Sequence, residues 1–241
     1  MPRVLVLRHH YEDSPGLIGR AFTRRGYDLD VVMMDAQSPT PSTLGYDALI
    51  ILGSTHAVYN VEVESGWFAR ELDVMAQADE ARIPMLGICF GAQALCRFHG
   101  GIVSRSSEPE IGWYDIEAVN NSGLSSGPWF QFHYDSCTLP PGAQLWARSP
   151  RAVQAFALGR HVGVQFHPEL DDHQLAQWLA AGDADVRSFG LDPHELMVQT
   201  RRETPAASDR ADALVSRCFE HWERFANNPL VAPGNWPPTP K

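Results

Sequence analysis

The sequence predicts an α/β fold: a doubly wound, mainly parallel sheet with added antiparallel strands, followed by C-terminal helices. Three observations lead to this prediction. Apolar runs alternate with helical patterns in the first part of the chain, short β-like runs occupy the middle, and helical periodicity returns towards the end. Strands that alternate with helices form right-handed βαβ units, which build a parallel sheet.

Four apolar runs in the first part of the chain predict parallel strands, because both faces of such strands are buried. They are residues 3–7, 29–34, 47–52 and 83–88. Apolar residues at helical spacing predict the helices between these strands. Those helices cover residues 15–25, 67–81 and 91–98.

The middle of the chain contains short β-like runs interrupted by Gly, Pro, Ser and Asn, which favours antiparallel strands. They are residues 102–105, 113–119, 129–133, 143–147, 153–157 and 162–166. Near the end, Leu175, Trp178 and Leu179 form one helical stripe. A longer stripe from Ala211 to Phe225 has the i, i+3, i+4, i+7 spacing of an amphipathic helix.

No repeat or linker divides the chain, so we predict one domain over residues 1–227. Residues 228–241 contain five prolines and predict an extended or disordered tail.

The charge balance and the apolar pattern exclude several classes of protein. Lys plus Arg number 19 against 29 Asp plus Glu, and a net charge of −10 is unfavourable for binding nucleic acid. No apolar run approaches the ~20 residues of a membrane span, and the N-terminus lacks the apolar core of a signal peptide. The four cysteines include no CxxC pair, which argues against a disulfide framework and against a zinc site. We therefore expect a cytoplasmic protein that binds neither nucleic acid nor membranes.

The segment Gly87-Ile88-Cys89-Phe90-Gly91 has the pattern of a nucleophile elbow, with Cys in place of Ser. Such an elbow places the sulfur at the carboxyl edge of the sheet and at a helix N-terminus, where the helix dipole favours the thiolate. The alternative is a buried structural cysteine, since free Cys is often buried. We interpret Cys96, Cys137 and Cys218 as structural.

A nucleophilic cysteine needs a base, and His167 follows the last predicted strand at the same sheet edge. Pro168 ends that strand, and Glu169 is placed to accept from the second ring nitrogen of His167 and so set its tautomer. The alternative for an isolated histidine is a core or solvent-facing role. His9 and His10 follow the first strand. For these two histidines we favour a position on the surface of a loop over a position at the site.

Chemistry at a carbonyl also needs hydrogen-bond donors for the developing oxyanion. Backbone N–H groups of Gly53 and Ser54, in the turn after the third strand, are candidates. The N–H of Phe90, directly after the nucleophile, is the third.

These segments, in this order, resemble the class I (triad-type) glutamine amidotransferase domain, in particular its stand-alone, GMP-synthase-like branch. The matching segments are Leu52-Gly53-Ser54, Gly87-Ile88-Cys89-Phe90-Gly91-Ala92-Gln93, Glu110-Ile111-Gly112-Trp113, Phe132-His133-Tyr134-Asp135 and Gln165-Phe166-His167-Pro168-Glu169. The sequence departs from the family at Ser54-Thr55, where Gly-Pro is usual, and at Ala92, where His is frequent.

The resemblance implies a flavodoxin-like fold and a catalytic triad of Cys89, His167 and Glu169. Cys89 would attack the side-chain amide of glutamine and form a γ-glutamyl thioester. Gln93 would hold the amino-acid end of the substrate, and Asp135 would pair with its α-ammonium group. No cofactor or metal is expected, because no phosphate loop, GxGxxG or HExxH motif is found.

Three functions remain open from the sequence. The first is a glutaminase that passes ammonia to a separate synthetase partner, since a domain for ATP-dependent transfer is not encoded in these residues. The second is a γ-glutamyl peptide hydrolase with the same Cys-His-Glu set. The third is a non-catalytic regulatory protein on the same fold, which the presence of all three side chains argues against.

Overall fold

A computed structural model describes residues 1–119 and 122–226 of the chain. The predicted Pro-rich tail, residues 228–241, lies outside the described residues. Within them the strands are β1 Arg3–Arg8, β2 Asp28–Met33, β3 Ala48–Ile51, β4 Met85–Ile88, β5 Val103–Ala118, β6 Gly127–Cys137, β7 Gln144–Arg148, β8 Val153–Leu158 and β9 His161–Val164. The helices are α1 Gly16–Arg24, α2 Val61–Glu64, α3 Trp67–Glu80, α4 Phe90–Phe98, α5 Asp172–Ala181, α6 Ala184–Ser188 and α7 Pro193–Ala226.

The described strands form one sheet in the order β2-β1-β3-β4-β9-β8-β7-β5-β6. The first five are parallel and repeat the flavodoxin order 2-1-3-4-5, while β8, β7, β5 and β6 extend the sheet by antiparallel pairing. The predicted doubly wound α/β class with added antiparallel strands and C-terminal helices is therefore confirmed. In the described part of the chain, no helix combines the length and the apolar character needed to cross a membrane.

Alternating residues of the parallel strands bury two separate cores, one on each face of the sheet. Val4 and Val6 of β1 pack with α1 and α7, whereas Leu5 and Leu7 pack with α3 and α4. A third, smaller cluster surrounds Phe130 beside α5 and α7. This double burial explains why the parallel strands are almost continuously apolar.

Several predicted element boundaries differ from the structure. The runs 102–105 and 113–119 belong to the single strand β5, because β6 pairs with both and a register shift between Arg105 and Glu110 absorbs the polar segment. The last helix begins at Pro193, well before the stripe at Ala211. The short helices α2 and α6 were not predicted, since four or five residues carry no periodic stripe.

An ion pair ties α1 to α7, and its pH dependence can be measured. Hydrogen bonds from Arg25 and Arg24 hold the pKa of Asp212 well below its usual range. Asp212 is about one-third exposed, so we expect Asp212→Asn to lower the free energy of unfolding by only about 0.5–1 kcal/mol at pH 7. This stabilisation is present above the unfolded-state pKa of about 3.9 and disappears as pH falls through the folded-state pKa.

Urea unfolding of both proteins at pH 7 and at successively lower pH measures this difference. Asp183→Asn is the control, because its partner Arg187 lies one turn away on the same short helix and the pair joins no separate elements. Equal unfolding free energies for the wild type and Asp212→Asn at pH 7 would contradict the prediction.

Candidate active site

Cys89 occupies the tight turn between β4 and α4, and its backbone is strained. Its φ is 51° and its ψ is −106°, a positive φ that non-glycine residues rarely adopt. Its N–H donates to the carbonyl of Val164 at 2.8 Å, and its own carbonyl accepts from the N–H of Gln93 at 3.0 Å. These bonds join the elbow to β9 on one side and to α4 on the other.

The two glycines of the elbow are required by close backbone contacts. A Cβ at Gly87 would lie 2.4 Å from the carbonyl oxygen of Gly91. A Cβ at Gly91 would lie 2.2 Å from the carbonyl oxygen of Ile51 in β3. The sequence pattern therefore reflects the sharpness of the turn and the contact of α4 with β3.

The sulfur of Cys89 lies at the edge of a cavity rather than wholly within the core. The residue is 5% exposed and lines a cavity of about 400 Å³. Its Sγ is 3.6 Å from Nε2 of Gln165 and 3.9 Å from the carbonyl oxygen of Phe132. Cys96, Cys137 and Cys218 are buried and unbridged, and they do not line this cavity, in agreement with their structural interpretation.

His167 and Glu169 form a buried pair at the same cavity. The Nδ1 atom of His167 lies 2.7 Å from Oε1 of Glu169, and a carboxylate there accepts the Nδ1 proton. This bond holds the imidazole with Nδ1 protonated. The backbone N–H of Leu17 in α1 donates to the carbonyl of Glu169 at 2.8 Å, which secures the segment from the opposite side.

Cys89 and His167 converge on Gly53. A Cβ built on Gly53 would lie 3.0 Å from Cε1 of His167 and 3.7 Å from Cβ of Cys89. All three residues lie just beyond the carboxyl end of a parallel strand: β3 for Gly53, β4 for Cys89 and β9 for His167. Open α/β sheets bind ligands at this edge. The structure therefore brings the sequence-predicted nucleophile, base and oxyanion turn together.

The electrostatic environment of His167 favours its charged form. Burial disfavours the imidazolium, but the carboxylate of Glu169 and the sulfur of Cys89 outweigh it and raise the pKa of His167 well above its usual value. The Nε2 atom is buried and makes no hydrogen bond of ordinary geometry to the described residues. Glu169 therefore orients the ring and favours its charged form, and Nε2 is the ring nitrogen that Glu169 leaves unpaired.

The three predicted oxyanion donors occupy different positions. Gly53 and Ser54 line the cavity. Phe90 is the first residue of α4, so its N–H has no partner within the helix. The carbonyl of Gly53 accepts a hydrogen bond from Nδ1 of His9 at 2.7 Å.

The predicted surface role of His9 is wrong. Its side chain is 1% exposed because it enters the space between α3 and the turn after β3. His10, in contrast, lines the cavity and contacts Thr55 at 2.9 Å.

Gln93 and Asp135, for which substrate contacts are predicted, are buried side by side at the cavity. Nε2 of Gln93 donates to Oε1 of Gln165 at 3.2 Å and lies 3.5 Å from the carbonyl oxygen of Asp135. Oδ1 of Asp135 accepts from the hydroxyl of Tyr59 at 2.9 Å and lies 4.0 Å from Nη1 of Arg105.

Gln165, Tyr59 and Arg105 were not predicted as site residues. Gln165 carries a usable signal, because it precedes His167 by two residues and alternate residues of an extended chain share a side. Tyr59 and Arg105 carry none, since each belongs to a polar loop or strand segment without a motif. Among the described residues, no three His, Cys, Asp or Glu side chains are grouped as metal ligands.

The chain is similar to known proteins over most of its length. The family model for class-I glutamine amidotransferases matches residues 11–180. The glutamine-hydrolyzing GMP synthase of Aeropyrum pernix is 38% identical over 129 residues, which cover 48% of this chain and 25% of that protein. The corresponding protein of Thermosipho melanesiensis is 29% identical over 183 residues, 73% of this chain and 34% of that protein. The match thus spans about a quarter to a third of these relatives.

The crystal structure of a glutamine amidotransferase from Thermotoga maritima superposes with a TM-score of 0.83 at 27% identity. The alignment covers 91% of this chain and 98% of that chain. The similarity therefore includes the antiparallel strands and the C-terminal helices as well as the parallel sheet.

The influence of Glu169 on His167 can be tested by titration. We expect Glu169→Gln to lower the pKa of His167, because the neutral amide removes the attraction that opposes burial. The folded-state pKa of wild-type His167 is raised, so its stabilisation is complete below pH ~6.5 and is lost as pH rises through that pKa. The variant should therefore weaken the decline of stability with rising pH.

NMR titration of the His167 ring, with urea unfolding over the same pH range, measures both effects. Asp79→Asn is the matched control, because Asp79 pairs with the buried His161 instead. An unchanged His167 titration in Glu169→Gln would show that the carboxylate does not set the charge of this ring.

Proposed function

The chain belongs to the class-I glutamine amidotransferase family, and we propose that it hydrolyses the side-chain amide of glutamine through a γ-glutamyl thioester on Cys89. The observation that carries the proposal is the convergence of Cys89 and the Glu169-bound His167 on Gly53 at one cavity. A buried thiol beside a charged imidazole is the arrangement that activates a cysteine nucleophile.

In the first half of the proposed reaction, the thiolate of Cys89 attacks the amide carbon and forms a C–S bond. The C–N bond then breaks as the His167 imidazolium donates its Nε2 proton to the leaving nitrogen, which departs as ammonia. In the second half, His167 takes a proton from water, the hydroxide attacks the thioester carbon, and the C–S bond breaks. Glutamate leaves and the thiolate–imidazolium pair is restored.

The negative oxygen of each tetrahedral intermediate needs donors that are already in place. We propose that the backbone N–H groups of Gly53, Ser54 and Phe90 supply them. Removal of one such donor typically costs about 10²–10³ in rate. A serine at position 54 retains the N–H that the usual glycine would provide.

The buried amide and carboxylate at the cavity are suited to an amino acid. We propose that Asp135 pairs with the α-ammonium group and that Gln93 contacts the same end of the substrate. An ammonium group that enters a mostly buried site needs a partner of opposite charge, because desolvation of an isolated charge is costly.

A second candidate is hydrolysis of larger γ-glutamyl amides. The cavity of about 400 Å³ supports it, because pockets of about 300–1,000 Å³ accommodate ligands larger than glutamine. The nucleophile, base and donors would be the same, and only the leaving amine would differ.

We further propose that the released ammonia is used by a separate synthetase partner. The GMP synthases to which this chain is similar are named as glutamine-hydrolyzing, and the match covers about a quarter to a third of their length. In this proposal, the ammonia released at Cys89 is consumed at the active site of that partner.

The activity is tested by following ammonia released from glutamine and free amino acid released from a panel of γ-glutamyl dipeptides. We expect turnover of glutamine by the wild type, loss of turnover in Cys89→Ser, and a mass increase of the protein corresponding to the acyl-enzyme after rapid quenching. Cys96→Ser is the control, because Cys96 is buried away from the cavity.

Each alternative gives a different result in the same experiment. Activity on dipeptides without activity on glutamine would replace the first proposal by the second. No Cys89-dependent turnover of any of these compounds, with or without a synthetase partner, would favour a non-catalytic protein.

The role of Asp135 predicts a selective loss of substrate affinity. We expect Asp135→Asn to raise KM for glutamine by about 10–100-fold, because a hydrogen bond to a charged group contributes about 1.5–3 kcal/mol. The effect on kcat should be smaller, since the carboxylate lies away from the reacting amide. Steady-state kinetics measure the split, and Tyr59→Phe, which removes only a hydrogen bond to Asp135, should have a weaker effect. An unchanged KM in Asp135→Asn would refute the assignment.

A further inference from the structure

A buried pair of ionisable side chains, His9 and Glu71, lies next to the turn that contains Gly53. Nε2 of His9 is 2.8 Å from Oε2 of Glu71, and the two side chains are 1% and 0% exposed. Neither residue lines the cavity, and the proposed reaction uses neither. A buried ion pair is a weak source of stability, because desolvation offsets much of its attraction.

The hydrogen bonds of His9 define which atoms carry protons. The carbonyl of Gly53 only accepts, so Nδ1 of His9, at 2.7 Å, must be the donor. Burial disfavours a charged ring, but Glu71 outweighs it and raises the pKa of His9. His9 thus donates from Nδ1 to Gly53, and the pair with Glu71 favours a second proton on Nε2.

This contact restrains a peptide group of the proposed oxyanion site. The described chain has no cis peptide bond, so the carbonyl of Gly53 and the N–H of Ser54 point in opposite directions across one rigid plane. Since His9 holds the carbonyl, the N–H of Ser54 points away from His9. A peptide flip that reversed this N–H would have to break the bond to His9.

The ring of His9 also contacts the second proposed donor segment. It lies edge to face with Phe90 at 4.9 Å between ring centroids, and 4.8 Å from the ring of Trp67 in α3. One side chain thus touches the turn after β3 and the first residue of α4, which together supply the proposed donors.

We infer that His9, held by Glu71, is a positioning residue that keeps the N–H of Ser54 in place for the oxygen of the tetrahedral intermediate. This inference rests on the proposed amide hydrolysis and adds a residue that positions one of its oxyanion donors. His9 does not contact the substrate in this role. The role gives a reason for a buried pair that contributes little to the stability of the fold.

The test removes the pair without leaving a lone buried charge. The double variant His9→Phe with Glu71→Leu keeps a ring between Trp67 and Phe90 but loses the donor to Gly53. We expect its kcat for glutamine to fall by about 10²-fold with KM nearly unchanged, because one oxyanion donor becomes misplaced. His9→Asn combined with Glu71→Leu, in which the amide can replace the Nδ1–H donor, should restore kcat to within about tenfold of the wild type.

Alkylation of Cys89 by iodoacetamide distinguishes a misplaced oxyanion donor from general damage to the active site. Alkylation displaces iodide and forms no oxyanion, so its rate should stay within about threefold of the wild type in the double variant. The matched control is His221→Phe. His221 is a buried histidine that donates to the carbonyl of Gly159 at 2.8 Å, contacts the rings of Trp146 and Phe225, and lies outside the cavity. It should lose stability and keep kcat.

The possible results separate the two proposals. A wild type without Cys89-dependent hydrolysis would overturn both the proposed function and this inference. An active wild type with an unchanged kcat in the double variant would overturn the inference alone. A parallel fall of hydrolysis and alkylation would also overturn it, because the defect would then extend to the nucleophile. If the double variant with Phe does not fold, His9→Gln is compared with His9→Asn, each combined with Glu71→Leu. The longer side chain of Gln misplaces the donor, so equal kcat values in these two variants would overturn the inference.

Discussion

The parallel pairing of β4 with β9 determines where the reactive side chains meet. Ile88 pairs with Val164, and the N–H of Cys89 donates to the carbonyl of Val164, so the elbow and the segment leading to His167 leave the sheet together. A shift of this register by two residues would move the two side chains apart by about 7 Å. The positive φ of Cys89 and the glycines near it shape the turn, but the turn brings Cys89 close to His167 only because β4 and β9 keep this register.

Buried polar groups hold two of the backbone segments that line the cavity. His9 and Glu71 hold the turn at Gly53, and His133 donates to the carbonyl of Asp135 at 2.9 Å while its other nitrogen lies 3.2 Å from Glu110. These groups come from distant parts of the chain and are almost fully buried. Hydrogen bonds between buried polar groups of this kind limit the positions that a backbone can adopt. Both networks end on a carbonyl of a residue that faces the cavity.

Local sequence patterns predicted the parallel strands and the first helices well, because burial on both faces leaves continuous apolar runs. They did less well for β5, because a polar segment between Arg105 and Glu110 interrupts its pattern, whereas β6 pairs with the strand on both sides of that segment. The Cys elbow and the His–x–Glu segment were recognisable because each is a local pattern with a chemical meaning. Tyr59, Arg105 and the buried role of His9 have no local pattern, and their partners lie far away in the chain.

The sequence by itself determined the reactive groups and the order of the elements. The reactive groups are a thiol between glycines and a histidine followed by a carboxylate, and the elements are alternating strands and helices. Those features are local, since turn geometry and burial act on neighbouring residues. Only the tertiary structure decided that His9 faces inward to Glu71, that Tyr59 reaches Asp135, and that Gln165 lies beside the sulfur. Such contacts arise from packing between separate elements, and no short stretch of sequence encodes the direction in which a side chain meets a distant partner.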